Sequence, residues 1–401
     1  LSPPIAPASL SSGSRDALRT LFVVAGEVSG DLLAAPLIEL VRRRDPQLRV
    51  AGVGGSRLEA AGCEILYDST TWGVIGYVDP VLRLRTYLRR LRAVEAAVRR
   101  LRPQVLLLVD FPAFNLRLAE RLRGSVPIVY YFPPLVSVRK GDRAAMVARL
   151  GMRLLTTLPR EEAAYRRAGA DVVFIGHPIL DLAVPRRTPE QARAAFAIPR
   201  DAPIVGLLPG SREQEIRLHL RIMLQAAARV QVQLSPVHFV IPVAASALRP
   251  LLEAAARTAG LPLRIVDEGV DAMAASTVLV AATGTATLEA AVLGVPMIAV
   301  YRLPWPGMLI ARRLVSVRYA ALPNILAGRE IVPEFLQERM TPGAIAAEVL
   351  DLLRRPDRRE TMRAALRDVV DSLGPRGALD RAADEVCRAL QGALPERSGA
   401  G

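Results

Sequence analysis

The stretch LFVVAGEVSGD, Leu21 to Asp31, sets four apolar, strand-forming residues directly before a loop of small and polar ones. Such punctuation marks a buried strand that breaks through a short loop into a helix. Three further segments repeat it: VDFPAFN at Val109 to Asn115, LLPGSR at Leu207 to Arg212 and TGTATLEA at Thr283 to Ala290. Each places backbone N–H groups at a helix start, where orphan donors and the macrodipole favour an anion. Two of these loops lie in each half of the chain. The sequence therefore predicts an α/β fold of two Rossmann-like, doubly wound domains, with a cleft between them for a ligand that carries phosphate. Small residues that simply let helices turn closely onto strands would explain one such loop, but explain four with embedded charges less well.

Working outward, strand-like runs recur at Leu21 to Val24, Arg49 to Val53, Val105 to Val109, Ile128 to Phe132 and Val172 to Ile175. A second series follows at Ile204 to Leu208, His238 to Val243, Leu263 to Val266, Val278 to Ala281 and Met297 to Val300. Segments of helical spacing separate them, which is the βαβα order of a parallel sheet covered on both faces. Between the series, Val184 to Pro203 is rich in proline and charge, with TPEQARAAF a short helix capped by Thr188 and started by Pro189. After Thr341 the pattern is helical through Leu390. The expected division is a flexible leader at 1–16, a first domain at 17–185, a second at 186–360, and C-terminal helices at 361–401 that cross back towards the first.

Composition narrows the function. With 401 residues, 51% of them hydrophobic, the chain can bury two cores. The net charge is +14, and Lys140 is its single lysine, so the basic residues are almost all arginine, which weakens arguments from any one arginine. A basic surface suits phosphorylated substrates, anionic lipid or nucleic acid, but 4% aromatics without basic-aromatic interleaving gives nucleic acid the least support. Cys63 and Cys387, with only His177, His219 and His238, form no metal-ligand spacing, so neither a metal nor a cofactor is expected. No apolar run approaches the ~20 residues that span a bilayer, and the expectation is a cytoplasmic protein.

Thr283, Gly284, Thr285 and Ala286 open a helix and can cradle a diphosphate, while Glu289, one turn on, can accept hydrogen bonds from a ribose diol. Arg212 follows Gly210 and Ser211, and its planar fork suits a phosphate oxygen. Asp110, beyond a buried strand, is either a general base or an Asx turn before Pro112. His177 in GHP reads as a hinge histidine, and His219 and His238 as scaffold. Leu84, Leu88, Leu91 and Val98 share one helical face, ringed by Arg83, Arg85, Arg89, Arg90 and Arg92. An ordinary surface helix and a contact with an anionic bilayer explain that pattern equally well.

Several of these segments together resemble the lipid-A-disaccharide synthase family. The resemblance rests on AGEVSGD, GVGGSRLEAAGCE (Gly52 to Glu64), DFPAFN, LPREEAAY (Leu158 to Tyr165), IGHPILD (Ile175 to Asp181), LLPGSREQEI, ATGTATLEA and LPNILAGREIVPEFLQE (Leu322 to Glu338). It covers roughly residues 20 to 390 and implies the GT-B glycosyltransferase architecture in a peripheral inner-membrane enzyme. The implied reaction joins UDP-2,3-diacylglucosamine to 2,3-diacylglucosamine 1-phosphate with inversion, giving the β-1,6 disaccharide 1-phosphate and UDP. Position by position, the resemblance carries Glu27 and Ser29 to the first loop and Asp110 to the acidic motif. Arg212, Glu289, Asn324 and Gln337 fall at positions associated with the nucleotide. Asp110 and Glu27 are thus the candidate bases, and Ser29, Arg212, Thr283, Gly284, Thr285, Glu289, Asn324 and Gln337 the candidate UDP-sugar contacts. A homodimer stays open.

The chain departs from the family pattern in the half expected to hold the acceptor. Ala113 replaces the second aspartate of the DxPDFN motif; in YYFPPLVSVR, Tyr130 to Arg139, Phe132 replaces a serine and Val136 and Val138 replace two tryptophans; IGYVDP, Ile75 to Pro80, carries Asp79 for a glutamate. A UDP-sugar transferase with another acceptor, a UDP-sugar epimerase and a non-catalytic nucleotide-sugar or membrane-binding relative remain as alternatives. Acyl chains on the donor separate the first two from the synthase, and UDP binding without turnover marks the third.

Overall fold

A computed structural model of the chain describes residues 19–69, 72, 80–137, 142–303 and 318–392. The chain divides into two compact units, one made of Leu1–Pro178 with Leu373–Gly401 and the other of Ile179–Ser372.

The first unit is built on β1 (Thr20–Ala25), β2 (Arg49–Gly54), β3 (Glu64–Asp68), β4 (Val105–Val109), β5 (Ile128–Tyr131), β6 (Arg153–Thr156) and β7 (Val172–Phe174). They form one parallel sheet in the order β3-β2-β1-β4-β5-β6-β7. All five residues of β4 are fully buried, which is why VLLLV is a continuous apolar run: helices cover both faces of this strand. Crossovers include α1 (Glu27–Arg44), α3 (Pro80–Leu101), α4 (Pro112–Leu122) and α6 (Pro159–Arg167). The helix Ala378–Leu390 also belongs here and packs on α1. Arg44 pairs with Asp380 and Asp384 at 3.0 and 2.7 Å, and Arg153 on β6 meets Glu385 at 2.9 Å.

The second unit holds β8 (Ile204–Leu208), β9 (His238–Pro242), β10 (Leu263–Val266), β11 (Val278–Ala282), β12 (Met297–Tyr301) and β13 (Glu334–Leu336), parallel in the order β10-β9-β8-β11-β12-β13. Ahead of β8, the expected short helix is α8 (Pro189–Ala195), and its cap is complete. Thr188 Oγ1 accepts from the Gln191 N–H, and Gln191 Oε1 accepts from the Thr188 N–H. The segment before it is anchored by Asp271, which accepts the Arg186 N–H at 2.7 Å. α9 (Glu213–Gln233) and α12 (Thr285–Val292) follow β8 and β11, and the helices Pro342–Arg354 and Pro356–Asp371 pack on α9 and α12.

Three strands escape the sequence patterning: β3, β6 and β13. β3 lies at a sheet edge with only partly buried side chains, and β6 (RLLT) and β13 (EFL) are short and each open on a charged residue, so they lack the unbroken apolar run that marks the equally short β5 and β7. No helix among the described residues is long and apolar enough to cross a membrane.

One buried carboxylate ties two of the sequence motifs together. Asp31, 3% exposed, reaches from α1 to the start of α2 (Ser56–Ala60), whose cap residue Gly55 has no side chain to offer. It accepts the N–H groups of Gly55, Leu58 and Arg57 at 2.8, 3.1 and 3.1 Å. A charged acceptor on three N–H groups is worth more than a neutral one, and its loss strands buried donors. Asp31→Ala is therefore expected to destabilise the first unit by about 2–4 kcal/mol, read as an earlier urea unfolding transition; an unshifted transition would remove the cap from this account.

Candidate functional site

Both sheets reverse their winding in the middle, between β1 and β4 in the first unit and between β8 and β11 in the second. At such a switch point the flanking helices depart to opposite faces, and the loops at the carboxyl ends of the two strands leave a crevice. The loops quoted first from the sequence are the four that follow these strands.

In the first unit, the loop after β1 and the loop after β4 are pressed together. A Cβ on Gly26 would lie 2.1 Å from the Phe111 ring, so only glycine admits this approach. Asp110 and Phe111 both take left-handed backbone angles, with φ of 47° and 49°, a pair of strained residues that surrounding bonds must hold. The holding is visible. The Asp110 carbonyl accepts from Asn115 Nδ2 at 2.7 Å and from the Tyr130 hydroxyl at 2.9 Å, while the Asp110 N–H donates to Tyr131 O at 3.0 Å. Asn115 is fully buried, and its amide also reaches Val109 O at 3.2 Å. Burial, with the nearby Asp110 carboxylate, raises the pKa of the Tyr130 phenol well above its ordinary value, so it stays a donor. Asp110 is thus presented at the switch point by a rigid backbone, half-buried. Ser29 is half-buried in the first turn of α1. The Glu27 side chain lies outside the described residues.

The altered stretch after β5 is held by α6. Glu161, 3% exposed, accepts the Val136 N–H at 2.7 Å together with the Ser137 hydroxyl, and Tyr165 donates to Pro134 O at 2.6 Å. Val136 is buried, whereas Val138, Arg139, Lys140 and Asp79 lie outside the described residues. Phe132, at φ 60°, meets the His177 ring edge-on at 5.5 Å. The backbone N–H of His177 donates to Leu373 O at 3.1 Å, joining the points where the chain leaves and re-enters this unit. Burial lowers its imidazole pKa to about 4, so it is neutral at physiological pH. On α3, Leu91 and Val98 are packed in the core and Leu88 is half-buried, while Arg85, Arg89 and Arg92 face solvent. Leu84 and Arg83 carry no described side chains.

In the second unit, the start of α12 differs from that of α2. Its cap residue, Gly284, is exposed at φ 144° with open space around it, and no side chain caps the helix. Thr283, Thr285 and Glu289 are half-buried around it, and Thr287 closes the first turn onto Gly284 O. Arg212, half exposed at the start of α9, leans towards Glu215 at 3.6 Å. The Arg212 and Thr283 loops follow adjacent strands, β8 and β11. Gln337, after β13, takes the left-handed region at φ 52° and accepts the Leu303 N–H at 3.3 Å.

Asn324 is placed differently from the other nucleotide candidates. It is fully buried, and Oδ1 accepts from Ile331 and Val332 N–H at 2.8 and 2.9 Å while Nδ2 donates to Val332 O and Glu334. Its amide braces the LPNILAGREIVPEF loop from inside. Glu334, which the sequence reading did not single out, completes the brace by accepting the Ala320 and Ala321 N–H groups ahead of the helix Leu322–Ala327. His219, also buried, accepts the Arg302 N–H at Nε2 and bonds Pro209 O through Nδ1 at 2.8 Å, coupling the β8 loop to the β12 loop. Beside it, a cavity of about 480 Å³ is lined by Arg217, Arg221, Arg302, Leu218, Ile222 and Met340, among others. A buried glutamate among apolar residues was the available signal for Glu334.

A model of the lipid-A-disaccharide synthetase family matches residues 21–383. The lipid-A-disaccharide synthase of Anaeromyxobacter dehalogenans (strain 2CP-C) is 42% identical over 371 residues, covering 91% of this chain and 96% of that protein. Among solved structures, the UDP-GlcNAc 2-epimerase of Neisseria meningitidis bound to UDP-GlcNAc matches with a TM-score of 0.60 at 12% identity, over 93% of this chain and 99% of that one. MurG of Acinetobacter baumannii matches with a TM-score of 0.53 at 14% identity, over 92% and 99%. These two show a shared fold, two Rossmann-like units of the GT-B kind. With the family model spanning both sheets and their switch-point loops, the chain belongs to the lipid-A-disaccharide synthetase family.

Proposed function

We infer that this protein is an inverting hexosyltransferase that joins UDP-2,3-diacylglucosamine to 2,3-diacylglucosamine 1-phosphate, forming lipid A disaccharide 1-phosphate and UDP. The observation that carries the nucleotide half is the open start of α12, uncapped by any side chain and next to the Arg212 loop at the switch point of the second sheet. In the reaction, the acceptor 6-hydroxyl forms a bond to donor C1 as the C1–oxygen bond to UDP breaks. The sugar passes through an oxocarbenium-like state, so two groups matter: a base for the hydroxyl proton and positive potential for the departing diphosphate. The N–H groups at α12 and the Arg212 guanidinium supply the potential, and Glu289 takes the ribose diol. Thr283, Thr285 and Gln337 border the same loops, and Asn324 acts by holding its loop in shape. In the first unit, Asp110 takes the proton, with Glu27 as competitor and Ser29 nearby in sequence. Residues 17–185 accordingly serve the acceptor and 186–360 the nucleotide. The reaction as written needs no metal or cofactor.

Substrates with four acyl chains between them reside in a bilayer, and we propose that the enzyme meets them there as a peripheral protein at the cytoplasmic face of the inner membrane. The exposed Arg85, Arg89 and Arg92 of α3 support this by offering a cationic rim to anionic headgroups. Co-sedimentation with vesicles containing phosphatidylglycerol should fall several-fold when the three are changed together to Gln or when salt is raised. Binding that ignores both changes would place the membrane contact elsewhere.

Incubation with both acylated substrates, followed by mass spectrometry, should yield the disaccharide 1-phosphate; UDP binding without any product would mark a non-catalytic relative. Arg212→Ala and Glu289→Ala should each weaken UDP binding by about 1–3 kcal/mol through loss of a charge-assisted hydrogen bond, and unchanged calorimetric affinity in both would refute the nucleotide assignment. Asp110→Asn, nearly isosteric, should keep UDP affinity and lower turnover by ~100-fold or more. If Glu27→Gln abolishes turnover while Asp110→Asn stays within a few-fold of wild type, the two roles are exchanged.

A further inference from the structure

Arg160 stands in the first turn of α6, after Pro159, at the carboxyl end of β6. Its Nε and Nη2 atoms are withdrawn from solvent and have no acceptor among the described residues. Taking a guanidinium out of water without an acceptor is costly, and the positive end of a helix dipole adds to the cost. The acidic neighbours do not relieve it. Glu161 is spent on Val136 and Ser137, and Glu162 pairs with Arg166 at 2.5 Å. A half-buried guanidinium with two nitrogens out of water and no acceptor for them among the described residues is suited to an anion brought from outside, and its fork suits a phosphate best.

Its place in the sheet says which phosphate. β4, β5 and β6 are consecutive neighbours, so the loop carrying Arg160 lies two strand spacings, roughly 10 Å, along the same carboxyl edge from the loop carrying Asp110. The acceptor's reacting 6-hydroxyl and its C1 phosphomonoester are borne on the two carbons that flank the ring oxygen, so a hold on the phosphate fixes where the hydroxyl can point. We propose that Arg160 is an anion subsite for the phosphomonoester of the sugar acceptor and orients the ring so that the hydroxyl faces Asp110. This rests on the transferase reading above and on its assignment of the acceptor to the first unit.

The experiment compares wild type, Arg160→Met and Arg160→Lys on two acceptors, 2,3-diacylglucosamine 1-phosphate and the same sugar without phosphate. Arg160→Met should raise KM for the phosphorylated acceptor tenfold or more, leave KM for the dephosphorylated acceptor and the donor within twofold, and erase the preference between acceptors. Arg160→Lys should recover part of that preference. Inorganic phosphate should compete with the acceptor in wild type and lose that effect in Arg160→Met. Equal changes in KM for both acceptors would reveal a packing residue and overturn the proposal. So would an unchanged preference accompanied by lost phosphate inhibition, which would mean a site for free anions or lipid headgroups. Should wild type form no disaccharide from either acceptor, the transferase reading fails separately. Calorimetric titration with glucosamine 1-phosphate then decides Arg160 alone: binding lost in Arg160→Met upholds the anion subsite, and equal binding overturns it.

Discussion

A parallel sheet that starts in its middle and winds outward in both directions has to reverse once, and two such reversals position the loops that carry Asp110, Arg212 and Gly284. Right-handed crossovers put successive helices on opposite faces as soon as the winding changes direction. The position of the loops after β1 and β4, and after β8 and β11, is therefore set by topology, while glycine sets how closely they approach, as Gly26 does against Phe111. Residue choice then decides what each opening does. The start of α2, after β2, is filled by a carboxylate from α1, while at the start of α12, after β11, glycine leaves the helix end open.

Keeping loops rigid at the edge of a sheet requires polar groups inside the protein, and each unit buries several. Asn115, Asp31 and Glu161 do this in the first unit; His219, Asn324 and Glu334 do it in the second. All six bond mainly to backbone N–H and carbonyl groups, so they set the path of the chain and leave chemistry to the residues they present. Such side chains are costly to bury unless satisfied, and their satisfaction specifies one loop conformation over others. The paired left-handed residues Asp110 and Phe111 are the clearest instance, because that backbone would relax without Asn115 and Tyr130.

The fold was legible because fully buried strands such as VLLLV and IVGLL, each followed by a loop of small residues, leave little alternative to a doubly wound sheet. β3, β6 and β13 were not, since a half-exposed edge strand and short runs that open on a charged residue have too little apolar pattern to separate from a turn. At the candidate site, Arg212, Gly284 and Asp110 stand out in the sequence by residue type beside a strand end. Asn324 could not be understood that way, because whether an amide faces a ligand or its own loop depends on contacts ten residues distant in sequence. Arg160 was invisible among more than fifty arginines until two of its nitrogens could be seen to have no acceptor among the described residues.

The helix Ala378–Leu390 completes the first unit although nearly the whole second unit precedes it in the chain. A ribosome releases residues in order, and domains ordinarily fold as they emerge. Here the side of α1 that packs on this helix, and the Arg153 contact with Glu385, wait for a segment that is synthesised last. The second unit, contiguous in sequence, has all its parts first. During synthesis the half of the molecule begun earlier is thus the half finished later, and a chain ending before residue 378 would carry every segment of the second unit and only part of the first.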